Sequence, residues 1–197
     1  MKKSFILFVL FILVSFSIFA ERIVGTDKLE YNQKTQLYHY GNEKEPFTGI
    51  EKAYYEDKIL KYELPFKNGK FDGKAIEYYP SGKIESESFY VNGKLNGKSI
   101  EYYKNGNLKS DGNYKDGKRD GLTKTYFEDG TIRSEIYYKN GELDGLAKEY
   151  YGNGQVYIQE NYKNGELDGE SLNFYKNGKL KGREVYKDGK LIESSVK

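Results

Sequence analysis

Tyr90–Asn113 reads YVNGKLNGKSIEYYKNGNLKSDGN. Asn92-Gly93 sits between two runs of alternating polar and apolar residues. Asn and Gly both tolerate the positive φ that a type I′ turn needs, so the pair predicts a tight β-hairpin. Asn105-Gly106 predicts a second turn of the same kind, and the segment reads as one hairpin running into the next. Outward from this stretch the pattern repeats. Asn68-Gly69, Asn92-Gly93, Asp116-Gly117, Asn140-Gly141, Asn164-Gly165 and Asp188-Gly189 stand 24 residues apart, as do Gly73, Gly97, Gly121, Gly145 and Gly169. A third series, Gly82, Gly106, Gly130, Gly154 and Gly178, keeps the same period. A fixed period of this size marks a repeat array. The expected fold class is all-β: a repeat array of antiparallel β-hairpins forming an elongated, single-layer twisted meander sheet.

Residues flanking a two-residue turn pair and share a face. Carried along the strands, this puts Phe71, Tyr79, Ile84, Tyr90 and Leu95 on one face, with Ser86, Ser88 and Ser99 as small spacers. Later copies are Tyr103, Leu108, Tyr114, Ile132, Tyr138, Val156, Tyr162, Leu180 and Tyr186. This is read as the packed, structural face. The other face collects Lys74, Ile76, Tyr78, Glu85, Glu87 and Phe89, then Tyr102, Tyr126, Tyr150 and Phe174. A bulge at Gly73 and its equivalents would flip part of that assignment. Some twelve strands at about 4.8 Å make a ribbon on the order of 55 Å long. The expected organisation is a leader at 1–20, an N-terminal cap with one degenerate repeat at 21–65, five repeats at 66–185, and a C-terminal half-repeat cap at 186–197. In the degenerate copy Phe47, Gly49 and Tyr54-Tyr55 precede Phe71, Gly73 and Tyr78-Tyr79 by one period, and Lys58 stands where a turn glycine is due.

Lys2-Lys3, the apolar run Phe5–Phe19 and Ala20 before Glu21-Arg22 have the layout of a secretory signal peptide cleaved near Ala20. The whole chain has 32 Lys+Arg against 30 Asp+Glu; the leader carries Lys2, Lys3 and no acid, leaving 30 against 30. A neutral chain of mixed charge lacks the basic clusters on which nucleic-acid affinity depends. With no cysteine, neither disulfides nor thiolate metal sites are available.

Catalytic chemistry finds little to work with. His39 is the only histidine. Asp72, Asp120, Asp144 and Asp168 each precede a glycine, but one acid per turn is turn chemistry, whereas a calcium loop concentrates several oxygen ligands. The glycines lack the Gly-Lys-Ser/Thr and following helix of a phosphate cradle. No enzyme activity, cofactor, metal or small-molecule substrate is expected. The candidate partner-binding residues are the ladder Tyr78, Tyr102, Tyr126, Tyr150 and Phe174, a stripe of rings flanked by charges.

Phe66-Lys-Asn-Gly-Lys-Phe-Asp-Gly73 resembles the core of a MORN repeat, an aromatic followed by x-Asn-Gly-x-x-x-Gly. The string returns at Tyr90, Tyr114, Tyr138 and Tyr162. Lys-Ser-Ile-Glu-Tyr-Tyr at 98–103 resembles the bacterial variant grouped with the YwqK-type antitoxin family. The resemblance, over roughly residues 42–193, implies a single-layer sheet of hairpins that contacts proteins or membranes. Taken with the leader, it implies an exported, non-enzymatic module binding a protein in the cell envelope or at the surface, in an antitoxin-like, adhesion or scaffold role. Carbohydrate, cell-wall or peripheral lipid binding through the aromatic ladder is the alternative.

Overall fold

The computed structural model describes residues 22–196. The leader expected at 1–20 lies outside the described residues. Among them no helix is long and apolar enough to cross a membrane.

Most of the described residues belong to one 16-stranded sheet. Its backbone is a meander in which each strand pairs antiparallel with the next, from Gly49–Tyr54 and Leu60–Lys67 through to Leu180–Lys187 and Lys190–Val196. Among the described residues the one parallel pairing sets Ile23–Val24 beside Ile50 and Glu51. The all-β repeat array of hairpins stands as the sequence predicts.

The two turns of each repeat differ, where sequence reading made them alike. At the first series both residues have positive φ, as in Asn92 (50°) and Gly93 (81°), the type I′ geometry. At the second only the glycine does, as in Gly106 (98°). There Tyr103 N–H donates to the Asn107 carbonyl at 2.8 Å, and Gly106 N–H to the Tyr103 carbonyl at 2.8 Å. This is a three-residue loop, a type I turn closed by a glycine bulge. The Asx residue acts through its side chain instead of its φ. Asn105 Oδ1 accepts from Asn107 N–H at 2.8 Å, and Asp129 Oδ1 from Thr131 N–H at 2.8 Å, a local bond that Asn and Asp favour in turns.

Each such loop is followed by a bulge, which corrects the face assignment. Tyr78 pairs with Ile84 while Glu77 pairs with Ser86, so Glu85 is the extra residue. Ile84, Leu108, Ile132, Val156 and Leu180 therefore pair with Tyr78, Tyr102, Tyr126, Tyr150 and Phe174 and join the ladder's face. Glu85 moves the other way. Its equivalents stack on the turn aromatics: Arg133 over Phe127 at 5.9 Å, Lys181 over Tyr175 at 5.9 Å, Tyr157 against Tyr151 at 5.1 Å. The register also shifts near Gly97, where Ser88 pairs with Ser99 but Tyr90 with Leu95. That shift is of even length, so the faces survive it.

The degenerate hairpin keeps the loop geometry without the glycine. Lys58 holds φ 66°, and its N–H reaches the Tyr55 carbonyl at 2.9 Å. A non-glycine residue in this region costs about 1–2 kcal/mol, partly offset by the extra freedom glycine brings to the unfolded chain. Lys58→Gly is expected to stabilise the protein by about 0.5–1 kcal/mol, read as a raised unfolding midpoint; an unchanged or lower midpoint would contradict the strain.

The sheet is not a single layer throughout. The hairpin Leu29–Asn32/Leu37–Tyr40 forms a separate two-stranded sheet and folds over the first repeats. Val24, Phe47 and Phe66 are buried there, with Leu29, Tyr38, Tyr40, Leu64 and Phe71 against them. Tyr38 sits edge-on to Phe66 at 5.0 Å. Its N–H donates to the Gly69 carbonyl at 2.9 Å. Arg22 covers Tyr40 at 4.7 Å and holds Glu43 through two bonds of 2.8 and 2.7 Å.

Candidate partner-binding surface

The Tyr-Tyr doublet that ends each outgoing strand divides its labour between faces. The second tyrosine is structural. Tyr55, Tyr79, Tyr103 and Tyr151 donate their hydroxyls to the carbonyls of Tyr78, Tyr102, Tyr126 and Phe174, at 2.7, 2.6, 2.7 and 2.9 Å. Each bond fastens one repeat to the next. Phe127 interrupts the series and leaves the Tyr150 carbonyl without the equivalent donor. Phe127→Tyr is expected to add that bond and about 0.5–1.5 kcal/mol, measured as a raised melting temperature; a fall would show that the ring cannot reach.

The first member of each doublet is held by its backbone and leaves its ring free on the opposite face. Tyr78, Tyr102, Tyr126, Tyr150 and Phe174 all lie there, half-buried. With the bulged aliphatics they form one stripe: Tyr54, Leu60, Tyr78, Ile84, Tyr102, Leu108, Tyr126, Ile132, Tyr150, Val156, Phe174 and Leu180, one per strand across consecutive strands. Aromatic and aliphatic side chains alternate, a pairing that stabilises strands and offers continuous apolar contact.

Beside the stripe runs a row of compensated charges. Lys74 pairs with Glu87 at 2.6 Å, Lys98 with Asp111 at 3.0 Å and Lys124 with Glu135 at 2.8 Å; Lys52 pairs with Glu63. Such half-exposed pairs add little stability, but they cancel charge locally. Stripe and row meet at Tyr150, whose hydroxyl donates to Glu135 Oε2 at 2.7 Å. Burial, then the Glu135 carboxylate, pushes the Tyr150 phenol up to about 12. Glu135 in turn is held below the usual carboxylate range by Lys124 and Tyr150.

The turn aspartates have partners of their own. Asp72, Asp120 and Asp144 accept from the backbone N–H of Asn92, Asn140 and Asn164, at 3.0, 3.2 and 3.3 Å. Each clamps the tight turn of the next hairpin. Asp168 binds Lys187 at 2.8 Å. Among the described residues no group of three or more His, Cys, Asp or Glu is placed to hold a metal. His39 lies in the cap, its Nδ1 facing the Glu43 carbonyl at 3.3 Å.

Sequence reading missed the shape of the opposite face. Its serines and threonines do not fill the space between the rings. They line the floor of a trough, with Ser88 and Ser99 sharing a bond of 2.8 Å and Thr125 and Ser134 one of 2.6 Å. Periodic small residues between two aromatic rows carried that signal.

The MORN repeat variant family matches residues 47–68, 71–92, 95–116, 119–140, 143–164 and 167–193, well over half of the chain. This chain belongs to that family. Its first MORN segment is the degenerate hairpin carrying Lys58, and six units match in all. Five of the six begin at Phe71, Leu95, Arg119, Leu143 and Leu167, residues that pair across strands with Phe66, Tyr90, Tyr114, Tyr138 and Tyr162. MORN repeats are in general non-enzymatic modules of protein and membrane interaction. A search of the curated proteins finds no match.

Proposed function

We propose that this protein is an exported, non-enzymatic interaction module that binds a protein partner in the cell envelope or at the surface, in an antitoxin-like, adhesion or scaffold role. The observation that carries the reading is the uncovered stripe from Tyr54 to Leu180. It offers alternating rings and aliphatics along one face of a sheet whose neighbouring charges are already paired. Interface centres favour such aromatic area and few unpaired charges. The leader supports the location: a basic start, an apolar run and Ala20 before the first acid. The neutral mature composition gives no attraction to nucleic acid.

The test is an affinity pull-down with residues 21–197 from envelope and secreted fractions, run beside Tyr102→Ala/Tyr150→Ala. Circular dichroism checks that the variant is folded. One protein held stoichiometrically by the parent and lost by the variant is expected. Equal recovery by both would move the contact off the stripe, and recovery of none by either would end the proposal.

A further inference from the structure

The face opposite the stripe carries two hollows in succession, one of about 450 Å³ and the next of about 390 Å³. Ser88, Ser99, Glu77 and Glu101 line the first, between Tyr79 and Tyr114. Ser110, Thr125, Ser134 and Glu149 line the second, beside Tyr103 and Arg119. Glu101 and Lys109 border both, so the hollows join into one trough. We propose that this trough binds a neutral polysaccharide strand. The proposal concerns the other face of the sheet and does not rest on the protein partner assigned to the stripe.

Three features select that ligand. The floor offers hydroxyls, which both donate and accept, and carboxylates, which accept; a polyol presents the matching groups. Rings stand at both margins, where they can cover the apolar C–H faces of sugars. Taken together, the hollows set four carboxylates, Glu77, Glu85, Glu101 and Glu149, against three cations, Lys109, Arg119 and Arg133, with Glu101 paired to Lys109 at 2.9 Å, so the trough as a whole is near neutral and offers no basic cluster to a polyphosphate. The subsites also recur. Two strand spacings separate equivalent positions by roughly 9.6 Å, which suits a polymer of like units. Two residues before Thr125 on the same strand, Thr123 lies 6% exposed, and its hydroxyl has no partner, although a buried hydroxyl ordinarily has one.

The chain itself shows what a protein occupant of this face requires. At the cap it covers the same face with its own hairpin, and there the contact is Val24, Phe47, Phe66 and Leu64. The trough beyond keeps Leu64, Ala75 and Leu95 along its first hollow, but its second hollow has no aliphatic side chain and is lined by Ser110, Thr125, Ser134, Glu101 and Glu149 among its rings and cations.

The test titrates the folded chain with cello-, chito- and malto-oligosaccharides from dimer to hexamer, followed by calorimetry and by backbone amide shifts. At least one series is expected to bind, more tightly as it lengthens, with shifts at Ser88, Ser99 and Thr125. Tyr114→Ala should weaken it by about tenfold or more. Ser99→Leu, which fills the first hollow, should abolish it there. Amide shifts in the parent need no variant and stand even if a substitution unfolds the protein. No binding in any series, or shifts confined to Tyr150 and Phe174, would overturn the proposal. A synthetic peptide of residues 28–41 that moved the trough amides where sugars did not would assign the face to protein instead.

Discussion

Gly69→Ala is expected to cost about 3 kcal/mol and to release the N-terminal hairpin, while Gly117→Ala costs about 1 kcal/mol. Both glycines occupy the second position of the same turn, at φ 73° and 84°, so the left-handed backbone penalises a side chain equally in each. The surroundings differ. A Cβ on Gly117 meets nothing within 4 Å, but on Gly69 it falls 2.8 Å from Leu37 Cβ, 2.9 Å from Pro46 Cβ and 2.9 Å from the Tyr38 carbonyl oxygen. Two of these obstacles are rigid, and relief means lifting the cap strand. That strand also donates to the Gly69 carbonyl, so the bond goes with the contact. Hydrogen exchange at Tyr38 and Phe47, with unfolding midpoints for both variants, makes the measurement. Equal losses in the two would mean that the cap contributes nothing at this turn.

Phe47→Ala should be the most damaging single truncation, at about 3–5 kcal/mol. Phe47 is 1% exposed and is the largest fully buried side chain among the described residues. It meets Phe66 at 5.7 Å and Tyr40 at 6.2 Å, and Arg22 covers it at 5.4 Å. The cavity could not collapse easily, because Phe47 N–H and C=O are tied to Tyr38 and Gly69. Tyr138→Ala, in the half-buried row of the array, removes packing already open to water and should cost less. In a repeat array stability passes between neighbours. Exchange in Phe47→Ala should therefore accelerate first in residues 22–67 and spread toward the later hairpins. Uniform acceleration along the chain would show instead that the array melts as one body.

The period, the hairpins and the order of strands were legible because each rests on local chemistry. Asn-Gly and Asp-Gly at the tight turns need no tertiary contact to act. The same dipeptides misled at the other end of the hairpin. Asn105-Gly106 looks like Asn92-Gly93, yet the Asn105 side chain satisfies Asn107 N–H and only the glycine turns left-handed. One extra loop residue and the bulge at Glu85 followed, and Ile84 and its copies changed sides. Tyr78 and its equivalents kept their assigned face because they precede the loop. The cap was legible as a place and not as a structure. Its folding over Phe66 depends on Tyr38 and Phe47 finding each other across the chain, and short-range pattern does not encode that. The trough was hidden for a related reason. A serine beside a ring reads as a spacer until the hollow it lines is seen.

The bonds between repeats all count along the chain. A turn tyrosine reaches a carbonyl 23 residues on, Gly93, Gly117 and Gly141 each reach back to Phe71, Leu95 and Arg119, and Asp72 and Asp120 reach an amide 20 residues on. Tandem duplication or excision of one whole 24-residue hairpin leaves every one of these distances intact. Such a change would splice silently and lengthen or shorten both faces by roughly 9.6 Å. An insertion of any other size breaks all three couplings at once, and one of odd length in a strand also turns the stripe to the far side. The fold thus behaves as a ruler with a single graduation: its reach can drift between relatives only in whole steps, and the spacing of whatever it grips is quantised with it.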